Sequence, residues 1–386
     1  MGGPTDQNIK WKVPLPGPAP SSPIVVETNL ITCAIELEGA EEQGEFSQVR
    51  HHLLCFDRRT GDQLWERTID KGSLDAGTFT VKGLPAASTP ASDGLFVYTF
   101  FGLAGIDAHT LEGEKVWHTG LGKTTDSTLG WRGASPVVHN NRVYINALNE
   151  ARMVVCLSAG WTGAPLEMDT SRGSQVREFH EYSGCVRFTR EFLSDLVGGG
   201  WQRIDVFTGR SDEIQSEASG IPIATPSKNF RHDPTAGTSK KSLTAYRIAN
   251  SSQDTPSTLD FEKCGSYTVT PLVMNNHVYG VSHSRILWSL SADDIRSSNT
   301  LAQPHNERGP FKGKIFASLV AADPYLYLVT ENEGAFVYRP GDHGFGEPVA
   351  KNLIVGDDSS FCGTPAISGD ELFLRSNRFL YCIAEQ

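Results

Sequence analysis

The sequence predicts an all-β protein, a single eight-bladed β-propeller built from four-stranded antiparallel blades. Three observations predict this fold. A strand that starts with Ser or Thr followed by Pro recurs at intervals of roughly 46 residues. Within a repeat, polar turns separate strands in which apolar and polar residues alternate. The third strand ends in a turn that contains Gly and leads to Trp, and several such sheets at one period make a propeller.

The first strand of each repeat fixes the period. Pro226 and Pro271 are 45 residues apart, and Leu319 lies 48 residues further on. Pro365 follows Leu319 after 46 residues. Pro136 and Pro226 are 90 residues apart, which is two periods, so one repeat with weaker signals lies between them. The repeats therefore start near residues 22, 89, 135, 183, 225, 270, 318 and 364.

A recurring turn follows the third strand, at residues 57–65 in the first repeat. A short acceptor such as Asp57 holds the turn amides, Gly61 supplies a positive φ, and Trp65 fills the wedge between neighbouring blades. The second and fourth repeats carry versions of the same turn. The predicted structural positions are Trp11, Asp57, Gly61, Trp65, Asp107, Trp117, Asp205 and Gly209.

The last repeat stops after three strands, near residue 384. Residues 5–13 resemble the outer strand of the first repeat, with Trp11 in the place of Trp65. We therefore expect residues 5–13 to complete the last blade and close the ring, which removes an exposed sheet edge. The whole chain, residues 1–386, is then one domain. Seven blades are the alternative, because residues 160–260 depart most from the repeat.

The composition excludes several classes of function. A net charge of −11 and the lack of a basic stripe argue against nucleic acid as a partner. No apolar run approaches the roughly 18 residues of a membrane span, and the N-terminus lacks a signal-like apolar segment. The compartment stays open: periplasmic or secreted if a signal peptide has been removed, and cytoplasmic otherwise. We expect a monomer.

The seven cysteines are too few and too scattered for a disulfide framework or a CxxC zinc site, so no metal is expected. Cys55, Cys156 and Cys382 occupy the same third-strand position in three repeats, which predicts core packing. Cys264 and Cys362 lie beside strand starts, where we expect buried thiols rather than reactive ones.

The Asp-x-x-Thr-Gly-x-x-x-Trp turn at residues 57–65 and the Ser/Thr-Pro strand starts resemble the repeat of the PQQ-like (pyrroloquinoline-quinone-type) propeller family. This is the quinoprotein alcohol dehydrogenase-like superfamily, which also includes the propeller lipoprotein of the outer-membrane barrel-assembly machinery. Within the superfamily, the chain is most similar in character to that lipoprotein. The resemblance covers residues 5–386 and is weakest between residues 160 and 260.

The dehydrogenases of this superfamily would imply a PQQ cofactor with calcium, a disulfide between adjacent cysteines and an Asp base. The chain has no adjacent cysteines and no recognisable ligand set, so neither PQQ nor calcium is expected. The resemblance to the lipoprotein instead implies a non-catalytic scaffold in a bacterial cell envelope. Its partner would be another protein or an extended ligand such as a glycan.

The loops that enter the innermost strands predict a ligand site, because they open on one face around the propeller axis. A concave mouth with converging aromatic and charged side chains is the default binding site. The predicted mouth residues are Asp126, Trp131, Arg132, Tyr267, Lys314, Phe316, Asp357, Asp358 and Phe361. The alternatives are that these residues are solvated loop tips, or that an enzyme acts there on a carbohydrate or alcohol through Asp126, Arg132, Asp357 or Asp358. No catalytic residue is identified.

Overall fold

A computed structural model shows a chain made almost entirely of β-strands. It describes residues 8–385 apart from several internal segments, the longest of which are 70–87, 121–134 and 164–186. Between residues 187 and 261 it describes strand backbones only. Within this described part, one short helix accompanies the strands, and no helix is long and apolar enough to cross a membrane.

The described strands pair into eight antiparallel sheets, seven of four strands and one of three. β1 (Ile9–Pro14) belongs to the eighth sheet. Sheet 1 contains β2 (Ile24–Val26), β3 (Asn29–Ala40), β4 (Phe46–Asp57) and β5 (Gln63–Ile69). Sheet 2 contains β6 (Ala91–Ser92), β7 (Phe96–Phe100), β8 (Ile106–Thr110) and β9 (Lys115–Thr119). Sheet 3 contains β10 (Val137–His139), β11 (Arg142–Ala147) and β12 (Met153–Ser158).

The remaining sheets repeat this order. Sheet 4 contains β13 (Arg187–Phe188), β14 (Phe192–Val197), β15 (Gly200–Asp205) and β16 (Ser211–Ile214). Sheet 5 contains β17 (Thr225–Ser227), β18 (Phe230–Asp233), β19 (Leu243–Arg247) and β20 (Ser257–Phe261). Sheet 6 contains β21 (Leu272–Met274), β22 (His277–Val281), β23 (Ile286–Ser291), the helix α1 (Ala292–Arg296) and β24 (His305–Arg308). Sheet 7 contains β25 (Val320–Ala322), β26 (Tyr325–Val329), β27 (Ala335–Tyr338) and β28 (Ala350–Asn352). Sheet 8 contains β29 (Ala366–Ser368), β30 (Glu371–Arg375), β31 (Phe379–Ile383) and β1. Each repeat predicted from the sequence coincides with one of these sheets.

The two ends of the chain meet in sheet 8. β1 pairs antiparallel with β31, so that Trp11 lies opposite Cys382 and Val13 lies opposite Leu380. The observed strand is close to the predicted segment, residues 5–13. Pairing the N-terminal strand with the C-terminal one gives sheet 8 its fourth strand and covers the edge of β31.

A chain of hydrogen bonds between sheets explains why Ser or Thr starts each repeat. In each bond, the backbone N–H at one strand start donates to the hydroxyl oxygen at the next. The bonds are Ser22 to Thr89 (3.0 Å), Thr89 to Ser135 (3.0 Å), Thr270 to Ser318 (3.0 Å), Ser318 to Thr364 (2.9 Å) and Thr364 to Ser22 (3.1 Å). The last of these bonds links sheet 8 to sheet 1. It is therefore a second contact that joins the beginning of the chain to its end.

The tryptophans dock on the Gly turn of the next sheet, as predicted. Their indole Nε1–H groups donate to turn carbonyls: Trp11 to Arg58 (3.0 Å), Trp65 to Leu111 (2.8 Å) and Trp117 to Gly160 (2.6 Å). A Cβ on Gly61 would lie 2.8 Å from the ring of Trp11, and φ at Gly61 is +78°. Glycine is therefore required at this position both for its backbone conformation and for the close approach of the indole.

The acceptor residue of the turn differs from one sheet to the next. In sheet 1, Asp57 Oδ1 accepts the backbone N–H groups of Arg59 (2.8 Å) and Thr60 (3.1 Å), as predicted. In sheet 2 this role belongs to Thr110, whose Oγ1 accepts the backbone N–H groups of Glu112 and Glu114, and not to Asp107. Asp107 is fully buried inside β8, where Oδ1 pairs with Lys115 Nζ at 2.9 Å. Asp205 ends β15, and Gly209 is outside the described residues.

The hydrophobic core lies between neighbouring sheets, and alternate residues of one strand face different neighbours. On β4, Cys55 packs with Val97 of sheet 2. Leu54 packs with Phe373 and Cys382 of sheet 8. Cys55 and Cys382 are fully buried, which confirms the core role predicted for them. The side chain of Cys156 is outside the described residues.

Candidate functional site

The described part of the mouth is formed by loops of sheets 7 and 8. We use "the mouth" for residues 312–316, 330–334, 357–363 and 375–378. Backbone hydrogen bonds hold these loops together: Glu331 N–H donates to the Lys314 carbonyl at 2.9 Å, and Phe361 N–H donates to the Glu331 carbonyl at 2.9 Å. Asn377 N–H donates to the carbonyl of Ser360 at 3.0 Å. The loops before two innermost strands therefore rest on the loops between strands two and three.

The structure brings five of the predicted mouth residues into this region. Lys314 is exposed and Phe316 is half-buried. Asp358 is exposed and pairs with Arg378 at 3.1 Å. Phe361 is buried and stacks on Tyr381 with ring centroids 6.3 Å apart, so it belongs to the core and is not an open aromatic surface. The other four, Asp126, Trp131, Arg132 and Tyr267, are outside the described residues.

Asp357 is a structural carboxylate. Its Oδ2 accepts the hydroxyl of Tyr381 at 2.7 Å, and its Oδ1 accepts both the backbone N–H (3.1 Å) and the hydroxyl (2.6 Å) of Ser359. Burial disfavours its charge, but hydrogen bonds from Ser359, Ser376 and Tyr381 outweigh burial and lower the pKa. Asp357 therefore stays ionised with both oxygens engaged, which suits neither a general acid nor a calcium ligand.

Among the described residues, no three His, Cys, Asp or Glu side chains come together in a way that could hold a metal ion. Cys362, which lies in the mouth, is a free thiol, and burial raises its pKa to about 12. A thiol with such a pKa is protonated at neutral pH and is a poor nucleophile.

Arg375 is a residue of the mouth that sequence reasoning missed. It ends β30, and its side chain is fully buried. Nη1 donates to Ser21 Oγ (3.2 Å), to Thr32 Oγ1 (3.1 Å) and to the carbonyl of Cys33. Nε and Nη2 are buried as well, and no described residue accepts a hydrogen bond from either. The sequence signal is an Arg that directly follows three apolar residues, Leu372, Phe373 and Leu374, in one strand.

The outer edge of sheet 7 carries exposed apolar side chains. Val349 and Leu353 flank β28 and are 58% and 57% exposed, and Val355 is 58% exposed. Half of the large exposed hydrophobic residues in the described part of the chain therefore lie within residues 349–355. The ammonium of Lys351, between them, lies 5.0 Å from the ring centre of Phe336.

Comparisons with known proteins match this architecture. A family model described as "Outer membrane protein assembly factor BamB" matches residues 4–194, about half of the chain. The quinohemoprotein alcohol dehydrogenase from Comamonas testosteroni is 10% identical, with 98% of this chain and 76% of that chain covered and a TM-score of 0.61. The computationally designed Ika8 protein is 13% identical, with 94% and 98% covered and a TM-score of 0.60. BamB from Moraxella catarrhalis is 12% identical, with 97% and 96% covered and a TM-score of 0.46. No curated protein matches the chain.

The fold is a β-propeller: it consists of successive antiparallel sheets, and hydrogen bonds join the first strand of one sheet to the first strand of the next. At 10–13% identity the solved structures show the fold and nothing about function. The match to the family model adds a relationship in sequence. In the structure, the turns that contain Gly and Trp are the repeated feature that corresponds to it. Through residues 4–194, the sequence relationship supports membership of the PQQ-like propeller family.

Proposed function

We propose that this propeller is a non-catalytic scaffold of the bacterial cell envelope that binds another protein through the outer edge of sheet 7. The observation that carries the proposal is the concentration of exposed apolar side chains at residues 349–355. Apolar side chains grouped on a surface favour association, because covering them removes apolar area from water.

The outer edge of sheet 7 differs from those of sheets 8 and 1. Outer strands of propeller blades leave backbone groups unpaired, and charged side chains usually protect such edges. Lys10 and Lys12 do so on β1, and Glu66 and Arg67 do so on β5. On β28 the charged Lys351 lies instead between apolar neighbours at 349 and 353. An edge of this kind accepts an extended segment of a partner, with backbone hydrogen bonds and apolar contacts on alternate residues.

A protein fits this edge better than a glycan. Glycan hydroxyls need polar partners and aromatic faces, whereas the exposed side chains here are aliphatic. The description of the matching family model, an outer membrane protein assembly factor, supports a scaffold role and an envelope location. The proposal includes neither quinone nor calcium. An enzyme in the mouth receives no support from Asp357, because Tyr381 and Ser359 engage its carboxylate.

Site-specific photocrosslinking in the source cells tests the scaffold proposal. A photoreactive phenylalanine analogue replaces Leu353, and the matched control replaces Leu64, which is 51% exposed on the outermost strand of sheet 1. We expect one discrete adduct from position 353 and none from position 64. Mass spectrometry should identify its partner as an envelope protein that co-purifies with the wild-type chain and not with a Val349→Asp/Leu353→Asp variant. Equal crosslinking from both positions, or no adduct from position 353, would contradict the proposal.

A further inference from the structure

We propose that Arg375 forms a binding site for a small carboxylate between sheets 8 and 1, beneath the mouth. This site is separate from the protein-binding edge of sheet 7 and does not depend on it. The observation is a guanidinium with one nitrogen fully engaged by the protein and two nitrogens without any described acceptor.

The two free nitrogens are the pair that carboxylates recognise. In arginine, the N–H groups of Nε and one Nη point in parallel along one edge of the guanidinium plane. That edge matches the two oxygens of a carboxylate in a bidentate pair. The opposite side of the Arg375 guanidinium is held in place, because Nη1 donates to Ser21, Thr32 and Cys33. The orientation of the free edge is therefore fixed before any ligand binds.

The charge of Arg375 has no described counter-charge. Burial lowers its pKa to about 10, so the side chain remains a cation at neutral pH. A buried cation without a partner is strongly destabilising, which is why such groups are almost always paired. Cys33 and Cys362 lie within electrostatic range, but burial raises the pKa of each thiol to about 12 and keeps both neutral. An anion at the free edge supplies the missing charge.

The surroundings set the size of the ligand. The carboxylate of Glu331 raises the pKa of Cys362, and its Oε1 accepts the hydroxyl of Ser360 at 3.3 Å. Gly363 packs closely over the site, because a Cβ there would lie 2.8 Å from the Ser21 carbonyl oxygen and 3.0 Å from Arg375 Cγ. The free nitrogens are buried, so a ligand must displace packed side chains to reach them. Only a small acid such as formate or acetate, or the end of a peptide chain, suits a site this closely packed.

Thermal unfolding of the full chain tests the site. Sodium formate or sodium acetate replaces sodium chloride at constant ionic strength, so that general salt effects stay constant. We expect the Tm of the wild-type protein to rise with the logarithm of formate or acetate concentration, as linkage requires for a ligand of the folded state. Arg375→Met should abolish the rise, and Arg375→Lys should weaken the apparent affinity by about tenfold or more because it keeps the charge and loses the parallel N–H pair.

Arg378→Met is the matched control, because Arg378 is exposed and pairs with Asp358 at the same end of sheet 8. It should keep the full response. If Arg375→Met does not fold, the comparison of Arg375→Lys with Arg378→Met decides, together with exchange broadening of the 13C-formate NMR signal by the wild-type protein. A further arm with dialanine distinguishes a peptide terminus from a free acid as the source of the carboxylate. A wild-type Tm that ignores formate and acetate, or a rise that persists in Arg375→Met, would overturn the proposal.

Discussion

Replacing Trp11 with Ala tests the closure of the ring at its most informative contact. The indole of Trp11 donates to the Arg58 carbonyl at 3.0 Å, covers Gly61 and lies 6.0 Å from the ring of Phe373. Truncating a fully buried Trp costs about 3–5 kcal/mol, and a hydrogen bond contributes about 1 kcal/mol. Because Trp11 is only half-buried, we expect the free energy of unfolding to fall by about 2–3 kcal/mol.

Urea unfolding followed by far-UV circular dichroism measures this loss. Trp161→Ala is the matched control: the same residue type sits on a turn of sheet 3 but is 74% exposed. Its ring meets Phe96 edge to face with centroids 5.0 Å apart, so its removal should cost no more than about 1 kcal/mol. Deleting residues 1–14 should cost more than Trp11→Ala, because it also removes the pairing of β1 with β31 and exposes that edge. Equal effects of the two Trp substitutions, or a deletion that leaves unfolding unchanged, would refute the closure.

Three further predictions concern stability. Burial lowers the pKa of His51 and of His109 from 6.5 to about 4 in the folded chain. As the pH falls, the unfolded chain therefore binds protons at these histidines before the folded chain does. The free energy of unfolding has its full value above pH 6.5 and falls towards pH 4, by about 3 kcal/mol for each residue. Urea unfolding at pH 7, 5.5 and 4.5 measures how steeply the free energy of unfolding depends on pH. This dependence should be weaker in His109→Gln, and an unchanged dependence would disprove the role of His109. Gly61→Ala should cost about 3 kcal/mol or more, because φ is +78° and a Cβ would clash with Trp11. Gly94→Ala should cost about 1 kcal/mol, because φ is +91° but nothing lies within 4 Å of the added Cβ. Similar shifts of the unfolding midpoint for the two variants would argue against the packing of Trp11 on Gly61. Thr364→Val should cost about 1–2 kcal/mol by removing the acceptor of the Ser318 N–H, and Thr364→Ser should restore most of it in the same assay; a valine variant as stable as wild type would show that the bond contributes nothing.

The turns show how far local sequence signals reach. Gly61 and Trp65 were correctly placed because a positive φ and a wedge-filling ring each demand a particular residue type. The acceptor at the same turn is less specific, because a carboxylate or a hydroxyl oxygen can hold the turn amides equally well. In sheet 2 the sequence therefore points equally to Asp107 and Thr110, and in the structure Thr110 Oγ1 accepts the backbone N–H groups of Glu112 and Glu114.

The mouth shows the opposite case. The sequence placed Asp357 and Phe361 in a loop, and loops are usually solvated. The structure turns both inward, because Tyr381 offers Asp357 a hydroxyl and offers Phe361 a ring. Tyr381 lies about 20 residues further along the chain, in the third strand of the same sheet. No feature of residues 352–363 alone reveals these two contacts.

The sequence by itself determined the β class, the period of the repeat, the Gly and Trp turns and the pairing of the chain ends. These depend on interactions between residues close in sequence or on patterns that recur at one spacing. Only the tertiary structure decided that Asp357 is a structural carboxylate, that residues 349–355 form an exposed apolar edge, and that Arg375 is buried with two free nitrogens. Burial and charge compensation depend on which neighbours the folded chain brings together, and here those neighbours lie as far apart as Arg375 and Ser21, at opposite ends of the sequence.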